Sequence, residues 1–306
     1  MESVSVLISC YNGKDYIQEQ VNSILSQKDV VIKIFIRDDG SPDFKTKTIL
    51  ERLKGNPAIT IYYGSNIGYA RSFMELVKLV PKVTDYYAFC DQDDVWMDNK
   101  LSLALSHLRE KKEFAVYSAR PVYVDKELNI SEKFHSYLDA LPYGTMTAKQ
   151  ALVAHLFGLG CTMVWNKTAH KLLSTGDYKN LTCGHDNLVS VLAPLTGSYY
   201  RDDNKVFYYR QHGKNYGANK TKKNLIKKIK SAWHGFDNPR NYELRKLLYE
   251  QFCEYMSPDK KVMLFYSIDY RCNMLSKLKL LSLNLSSGMS WNIKLKYHIK
   301  VLFNKY

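Results

Sequence analysis

The most informative stretch of this sequence is YYAFCDQDDVW at residues 86–96, in which an apolar run ends in acidic residues. The apolar part has the composition of a buried strand. Asp91, Asp93 and Asp94 follow it directly, and carboxylates this close together repel one another unless a cation lies between them. Oxygen ligands of this kind suit Mg²⁺ or Mn²⁺, which usually hold the phosphates of a substrate. The stretch therefore predicts a strand whose carboxyl end binds a divalent cation.

A second acidic pair points to the same place. Asp38 and Asp39 close the apolar run VVIKIFI at residues 30–36. In an open α/β sheet, ligands bind beyond the carboxyl ends of the strands, so two acidic strand ends predict one shared site. A solvated turn is the alternative for either run taken alone.

The first 110 residues alternate apolar runs with amphipathic ones, which is typical of strand–helix units around a mostly parallel sheet. The predicted strands of this α/β half are 4–10, 30–37, 59–63 and 86–90, and the predicted helices are 15–27, 44–53, 70–79 and 98–111. Beyond it the pattern predicts strands at 114–118, 122–124, 161–165 and 205–211, helices at 148–156, 167–173 and 185–192, and a loop-rich stretch at 130–146.

The net charge of +14 is concentrated in the last third of the chain, where residues 214–306 hold 19 Lys and Arg against 6 Asp and Glu. We therefore predict a domain at 1–215 and a basic, mainly helical extension at 216–306. Segments 220–230 and 291–303 place lysines among aliphatic and aromatic residues at helical spacing, which suits an anionic membrane surface. Solvated helix faces are the alternative. No nucleic-acid-binding motif accompanies the charge, so we expect no nucleic acid partner.

The cysteines and the N-terminus indicate the compartment. The six cysteines are dispersed and lack zinc-like spacing, as is typical of reduced thiols in a cytosolic protein. No stretch resembles a signal peptide or approaches the ~20 apolar residues of a membrane span. We expect a cytoplasmic protein, peripheral on the inner face of the cell membrane.

Four sequence motifs follow one another along the first hundred residues: SVLISCYN at 5–12, DDGS at 38–41, NIG at 66–68 with SF at 72–73, and FCDQDDVW at 89–96. In this set the chain resembles the family 2 glycosyltransferases. The resemblance implies a nucleotide-sugar-binding fold of the GT-A type over residues 1–215. The DQDDVW form, and YRQHG at 209–213, are similar to bacterial polysaccharide and capsule enzymes, including rhamnosyltransferases.

The resemblance also implies which residues bind the nucleotide. The loop after the first strand opens onto a helix N-terminus, where backbone N–H groups favour phosphate. The acidic pair is expected to contact the nucleobase through Asp39, and a glycine turn is expected to close on the nucleotide. Each of these pieces could equally be an ordinary turn. The expected nucleotide-binding residues are Tyr11, Asn12, Asp38, Asp39, Asn66, Gly68 and Asp91.

The family's Asp-X-Asp metal motif matches residues 91–93. It implies that Asp93 contacts Mn²⁺ or Mg²⁺ directly and that Asp91 faces the metal or the ribose. His212 is a further candidate for the metal or the diphosphate. A bound cation would stabilise the negative charge that develops on the leaving nucleoside diphosphate.

A general base must take the proton of the acceptor hydroxyl. The segment CGHDNL at 183–188 matches the family's acidic pair at the start of a late helix, which makes Asp186 the candidate base. Its alternative is a helix N-cap. His185 stands where the family often has Glu, so it either shares the role or tunes Asp186. Segment 157–163 resembles the part of the family fold under the acceptor sugar, and the expected acceptor contacts are Gly160, Cys161, Trp165 and His185.

These expectations describe an inverting glycosyltransferase of bacterial surface polysaccharide synthesis. Its donor would be dTDP-rhamnose or a UDP-hexose, and its acceptor a hydroxyl of a polyprenyl-diphosphate-linked oligosaccharide. One alternative is a metal-dependent nucleotidyltransferase, although residues 9–13 lack the Gly-rich basic loop that binds a triphosphate. The other is a non-catalytic membrane- or polyanion-binding module on a transferase fold, in which the acidic sites would tolerate replacement.

Overall fold

The computed structural model describes residues 1–131, 137–212 and 239–306. Strands and helices alternate through its first half, as the sequence predicts. The strands are β1 (Glu2–Cys10), β2 (Val30–Asp38), β3 (Ile59–Tyr63), β4 (Tyr86–Cys90), β5 (Val95–Trp96), β6 (Ala115–Val124), β7 (Gly144–Thr145), β8 (Val164–Asn166) and β9 (Ser198–Arg210). The helices are α1 (Ile17–Leu25), α2 (Phe44–Leu53), α3 (Tyr69–Leu79), α4 (Lys100–Leu108), α5 (Ala148–Ala154), α6 (Lys167–Leu173), α7 (His185–Thr196), α8 (Pro239–Phe252), α9 (Pro258–Asp269), α10 (Met274–Leu285) and α11 (Trp291–Leu302).

The strands form one sheet in the order β3-β2-β1-β4-β8-β6-β9-β5, with β7 paired to β9. The long ladders are parallel, and the antiparallel ladders are short. The register pairs Cys10 with Asp38, and Ile8 with Cys90. The carboxyl ends of β1, β2 and β4 therefore meet at one edge, and the two acidic runs share it.

Helices cover both faces of the sheet because successive residues of the central strands point to opposite sides. In β1, Val6 and Ile8 pack with α1 and α4 in one buried cluster. Leu7, between them, packs with α3 and α7 in the other. This double burial fixes the strand ends, and with them the edge that carries the acids.

Two strands of the second half are longer than the sequence predicts. β6 is continuous where 114–118 and 122–124 were expected as separate strands, because its register shifts around Arg120 and Pro121 absorb the proline. β9 begins at Ser198 rather than at residue 205. Its polar middle resembles a turn in sequence, but the Asp202 carboxylate is held by the Tyr117 hydroxyl at 2.7 Å, so the strand continues. The expected strand at 161–165 is a short 3₁₀ turn, Gly160–Thr162, followed by β8.

Helices α8 to α11 pack beside α5 and share the larger of the two hydrophobic cores with α7. The Tyr306 hydroxyl donates to the Leu152 carbonyl, and Tyr270 donates to the Tyr306 carbonyl at 2.7 Å. The predicted boundary at 215 and segment 220–230 lie outside the described residues, so the two-domain division stays a prediction. Among the helices that the structure describes, none has the length and apolar character required to cross a bilayer.

Candidate active site

The loop after β1 is held to the acidic edge by hydrogen bonds on two sides. The Gln92 side chain accepts from the Tyr11 N–H and donates to the Tyr11 carbonyl, both at 3.0 Å. The Asn12 N–H donates to the Ser41 hydroxyl at 2.9 Å, and that hydroxyl donates to Asp38 at 2.5 Å. Tyr11, Asn12 and Asp38 are thus brought together as expected. Gln92, the middle residue of the metal motif, is the connection that sequence reasoning missed.

Asp39 is engaged in holding the turn between β3 and α3. Its carboxylate pairs with Arg37 and accepts from the N–H groups of Ile67 and Gly68 at 3.0 and 2.9 Å. The structure therefore brings Asp39 to the turn that contains Asn66 and Gly68. Gly68 has a φ of 84°, a conformation that favours glycine. The contact of Asp39 with a nucleobase stays a prediction.

The acids after β4 form a coupled cluster. Burial first, and then the charges of Asp93 and Asp186, raise the pKa of Asp91 to about 7. Asp94 is fully buried, and burial followed by the neighbouring carboxylates raises its pKa well above the usual range. Its Oδ1 accepts from the Arg210 N–H at 3.1 Å, while Oδ2 has no hydrogen-bond partner among the described residues. The electrostatic link between Asp91 and Asp186 shows that the two motifs converge.

The donor set of this cluster fits a divalent cation. One ligand atom from each of Asp91, Asp94 and Cys161 lies within 4.8 Å of the others. Burial raises the pKa of the Cys161 thiol well above its usual range, so the thiol stays protonated and is a poor ligand for a hard cation. Asp93 lies beside His212, with 2.7 Å between Oδ2 and Nε2. Carboxylate oxygens with one imidazole are a donor set that Mn²⁺ or Mg²⁺ accepts.

A buried lysine lies beneath these carboxylates. The Lys100 ammonium donates to the Cys161 carbonyl at 2.5 Å and lies 3.7 Å from the centre of the Trp96 ring. Burial lowers its pKa to about 8, while nearby thiols and the carboxylates of Asp94 and Asp91 act in the opposite direction. Asp98-Asn99-Lys100 resembles a solvated helix start in sequence, so no local signal indicated this buried cation.

Asp186 lies in the first turn of α7 and faces the cluster. Burial raises its pKa to about 6, while the N–H groups of Asn187, Asp186 and Gly160 favour the ionised form. The Asn187 N–H donates to Asp186 Oδ1 at 2.9 Å. A partly buried carboxylate with this pKa can accept a proton near neutral pH, as a general base must.

Three of the four residues that were expected to contact the acceptor have buried side chains. Trp165 and Cys161 are fully buried, and His185 is 3% exposed. The His185 ring lies 4.2 Å from that of Phe73, and burial lowers its pKa to about 3, so the ring is neutral. All three side chains are buried in the core, and their contact with an acceptor stays a prediction. A neutral, enclosed His185 packs beneath the N-terminal turn of α7, and whether it shares the role of base or tunes Asp186 stays a prediction.

Gly160 differs from those three because it acts through its backbone. Its N–H favours the ionised form of Asp186. A Cβ at this position would lie 2.1 Å from His185 Nε2, so only glycine fits the close approach of the turn to α7. The expected role of Gly160 in binding an acceptor stays a prediction.

A cavity of about 500 Å³ opens beside the acids at the carboxyl ends of β1 and β4. On one side of the cavity the His212 ring stacks on the Tyr16 ring, with 5.0 Å between the ring centres. Of the eleven described lining residues, seven have charged, amide or imidazole side chains, which can bind a phosphorylated ligand together with a cation. The lining residues are Tyr11, Asn12, Gly13, Lys14, Asp15, Tyr16, Pro42, Asp43, Gln92, Asp93 and His212.

Among known proteins, this chain is similar to glycosyltransferases. The model of the family described as glycosyl transferase family 2 matches residues 5–173. The chain is 31% identical over 250 residues to the dTDP-rhamnosyl transferase RfbG of Shigella flexneri, covering 74% of this chain and 80% of that protein. It is also 31% identical over 238 residues to the UDP-Glc:alpha-D-GlcNAc-diphosphoundecaprenol beta-1,3-glucosyltransferase WfaP of Escherichia coli. That match covers 75% of this chain and 87% of WfaP.

Among solved structures, the chain is similar to S. aureus TarS 1-349 in complex with UDP-GlcNAc, with a TM-score of 0.60 and 15% identity. The likeness covers 100% of this chain and 80% of that one. At this identity it concerns the fold, and it confirms the expected GT-A-type architecture.

Proposed function

Since this chain belongs to glycosyl transferase family 2 and is therefore a glycosyltransferase, we propose that it is a cation-dependent, inverting enzyme. In this proposal it moves a sugar from a nucleoside diphosphate to a hydroxyl of a lipid-linked oligosaccharide in surface polysaccharide synthesis. The supporting observation is the convergence of the metal motif and the late helix, because Asp93 and Asp186 both raise the pKa of Asp91.

The donor is proposed to occupy the cavity of about 500 Å³ beside Asp93. Tyr11 and Asn12 line it, and Lys14 supplies positive charge for a diphosphate. The matched relatives carry dTDP-rhamnosyl and UDP-glucosyl transferase names, which makes dTDP-rhamnose the first candidate donor and a UDP-hexose the second.

The reaction is proposed to be a single displacement. The acceptor oxygen attacks the anomeric carbon and gives its proton to the Asp186 carboxylate, while the bond from that carbon to the diphosphate oxygen breaks and the nucleoside diphosphate leaves. Asp91, Asp93 and His212 are proposed to hold a Mn²⁺ or Mg²⁺ ion, which when bound supplies charge stabilisation to the leaving group. No covalent enzyme intermediate is required.

Replacement of the two key acids tests this assignment. Asp186→Asn and Asp93→Ala are expected to lower turnover by about 100-fold or more, since each removes the group that carries out one part of the reaction. The matched control is Asp203→Asn, because that exposed carboxylate pairs with Arg120 away from the cavity. Transfer is measured as release of nucleoside diphosphate with Mn²⁺, dTDP-rhamnose or UDP-glucose, and a lipid-diphosphate-linked sugar. Near-normal turnover of either variant contradicts the role given to that residue.

Thermal stabilisation separates the candidate donors. A ligand that binds the folded protein raises its melting temperature. We expect dTDP-rhamnose or a UDP-hexose to do so with Mn²⁺ present, and the effect to decrease in Asp93→Ala. Equal stabilisation by both nucleotides in that variant and in the parent would exclude the proposed metal contact.

Helices α10 and α11 are proposed to hold the enzyme at an anionic membrane surface, on its cytoplasmic face. They expose large apolar side chains, among them Met274 at 69% and Trp291 at 68%. Lysines lie between these apolar side chains, as in helices that bind anionic lipid. The exposed apolar residues of the two helices are Met274, Leu275, Leu278, Leu285, Trp291, Leu295 and Leu302.

Vesicle sedimentation tests the membrane proposal. The protein is expected to sediment with phosphatidylglycerol vesicles at low salt and to remain in solution with phosphatidylcholine vesicles. Leu275→Ser with Trp291→Ser is expected to weaken the binding, whereas Val31→Ser, a change of an exposed residue in β2, leaves it unchanged. Equal sedimentation with both lipids contradicts the electrostatic part of the proposal.

A further inference from the structure

A second cavity, of about 210 Å³, is lined in part by the turn that precedes the candidate base. The start of α3, the segment before α7 and the start of α8 form its walls. Gly184, the residue before α7, is part of the wall and lies close to Asp186, since a Cβ on Gly184 would be 2.2 Å from Asp186 Oδ1. The lining residues are Ile67, Gly68, Tyr69, Ala70, Arg71, Leu181, Thr182, Cys183, Gly184 and Arg240.

Positive charge distinguishes this cavity, which we call the Arg71–Arg240 cavity. Its ten described lining residues include both arginines and no Asp or Glu. Arg71 donates one N–H to the Lys179 carbonyl at 3.4 Å, which leaves most of its guanidinium fork for other acceptors. Burial raises the pKa of the Cys183 thiol to about 12. The positive charge of Arg240 acts in the opposite direction and favours the thiolate. The composition therefore favours an anionic ligand.

The two cavities have no lining residue in common. The donor cavity contains the expected metal ligands Asp93 and His212. The Arg71–Arg240 cavity instead adjoins the turn at Gly184, which positions Asp186. In the proposed reaction, the acceptor hydroxyl must come close to Asp186 to transfer its proton. Gly68, which also lines this cavity, is an expected nucleotide-binding residue, so it is the turn beside Asp186 that favours the acceptor as the source of an anion bound there.

We propose that the Arg71–Arg240 cavity binds the phosphate or diphosphate group of a phosphorylated acceptor. This inference rests on the proposed function and adds the place where the acceptor is recognised. Arginine suits this purpose because its planar fork matches phosphate oxygens in a bidentate manner. Phosphate held by both arginines positions the acceptor sugar at Asp186 while the donor occupies the other cavity.

Titration calorimetry with geranyl diphosphate, in the presence of saturating UDP and Mn²⁺, tests the proposal without knowledge of the acceptor sugar. The paired variant Arg71→Gln with Arg240→Gln is expected to weaken binding about 10- to 100-fold, as for loss of charged hydrogen bonds. The matched control is Lys78→Gln, a basic residue of α3 that lines a neighbouring cavity. It is expected to leave the affinity unchanged.

Other outcomes would overturn the inference. Absence of binding to the parent protein, equal binding to the paired variant, or an equal loss in Lys78→Gln each does so. Loss of binding in His212→Gln, with the arginine variants unaffected, would place the diphosphate in the donor cavity instead. Binding of UDP in the arginine variants is measured separately and is expected to match the parent. Failure of both dTDP and UDP to bind even the parent would refute the proposed function, which distinguishes the two failures.

Discussion

The acidic edge of the sheet and the C-terminal helices each bury a cation, and they compensate its charge in opposite ways. Lys100 lies beneath the carboxylates of Asp91 and Asp94, which favour its charged form. Arg245 in α8 lies 3.6 Å from the centre of the Tyr306 ring and 2.9 Å from His155 Nε2. Within the described ranges, no carboxylate is hydrogen-bonded to Arg245.

The charges at the acidic edge are therefore suited to a binding site, whereas the charge of Arg245 is accommodated by packing against aromatic rings. At the acidic edge the negative groups outnumber the lysine, so the cluster retains the excess that a bound cation requires. Around Arg245, aromatic rings supply a weaker and uncharged partner. We therefore expect the two buried cations to respond very differently to the same substitution.

The largest effect is predicted for Lys100→Met. The change removes the nearby cation whose charge favours the ionised form of the buried Asp94, and loss of the charge that compensates a buried carboxylate costs up to about 3–5 kcal/mol. Urea unfolding without metal at pH 7, where Lys100 with its pKa of about 8 is mostly charged, measures this free energy. The double variant Lys100→Met with Asp94→Asn removes both charges and is expected to recover much of the loss. A double variant no more stable than the single one would show that Asp94 is not the group that Lys100 compensates.

The second prediction concerns the pH dependence at the acidic edge. Asp186 must be ionised to accept a proton, and its pKa is raised to about 6 by burial. With Mn²⁺ saturating, kcat/KM is expected to fall about tenfold per pH unit below pH ~6, or roughly 100-fold over two units. Apparent Mn²⁺ affinity is expected to fall below pH ~7, where Asp91 takes up a proton. A flat profile between pH 4 and 7 contradicts the assignment of Asp186 as base.

The same shifts have a consequence for stability. Because folding raises the pKa values of Asp91 and Asp186, the folded state binds protons more tightly than the unfolded state. The contribution of these two groups to the free energy of unfolding is greatest below pH ~4. It is lost as pH rises through 6 to 7. Bound Mn²⁺ is expected to restore stability above pH 7, measured as a larger rise of melting temperature at pH 8 than at pH 5.5.

The acidic edge is predictable from the sequence because its signals are local. Apolar runs that end in Asp38-Asp39 and in residues 91–94 identify strand ends, and parallel strands bring their carboxyl ends to one edge. Four strands and four helices of the first half follow from the same alternation. The convergence of Asp91 with Asp186 was expected from the resemblance, since no spacing along the chain encodes it.

What the sequence could not provide depends on packing between distant segments. Lys100 and Gln92 resemble ordinary surface residues until α4 and the loop after β1 are docked. The burial of Trp165 could not be predicted, because composition does not reveal which face of a strand is covered. β9 was shortened in prediction because the partner that satisfies Asp202 lies on β6.

The third prediction concerns the turn that adjoins the base. In Gly160→Ala the new Cβ would lie 2.1 Å from His185 Nε2, inside an enclosure formed by Phe73 and Phe89. The ring has no room to retreat, so we expect a loss of about 1–3 kcal/mol in the free energy of unfolding. Gly55→Ala, at an exposed turn after α2, is the control: its Cβ would lie 3.2 Å from the Arg52 carbonyl oxygen, a milder contact, and we expect a loss of no more than about 1 kcal/mol. Equal unfolding free energies for both variants would show that the His185 enclosure is looser than the structure indicates.

The smallest effect is predicted for Arg245→Met, the counterpart of Lys100→Met. Methionine keeps an unbranched, flexible side chain, although a shorter one, and can contact the Tyr306 ring through sulfur. The loss of the His155 hydrogen bond and of the cation–π contact is offset because a guanidinium no longer has to be buried. We expect the free energy of unfolding in urea to stay within about 1 kcal/mol of the parent. A loss as large as that of Lys100→Met would mean that Arg245 compensates a negative charge, and the distinction between the two regions would then fail.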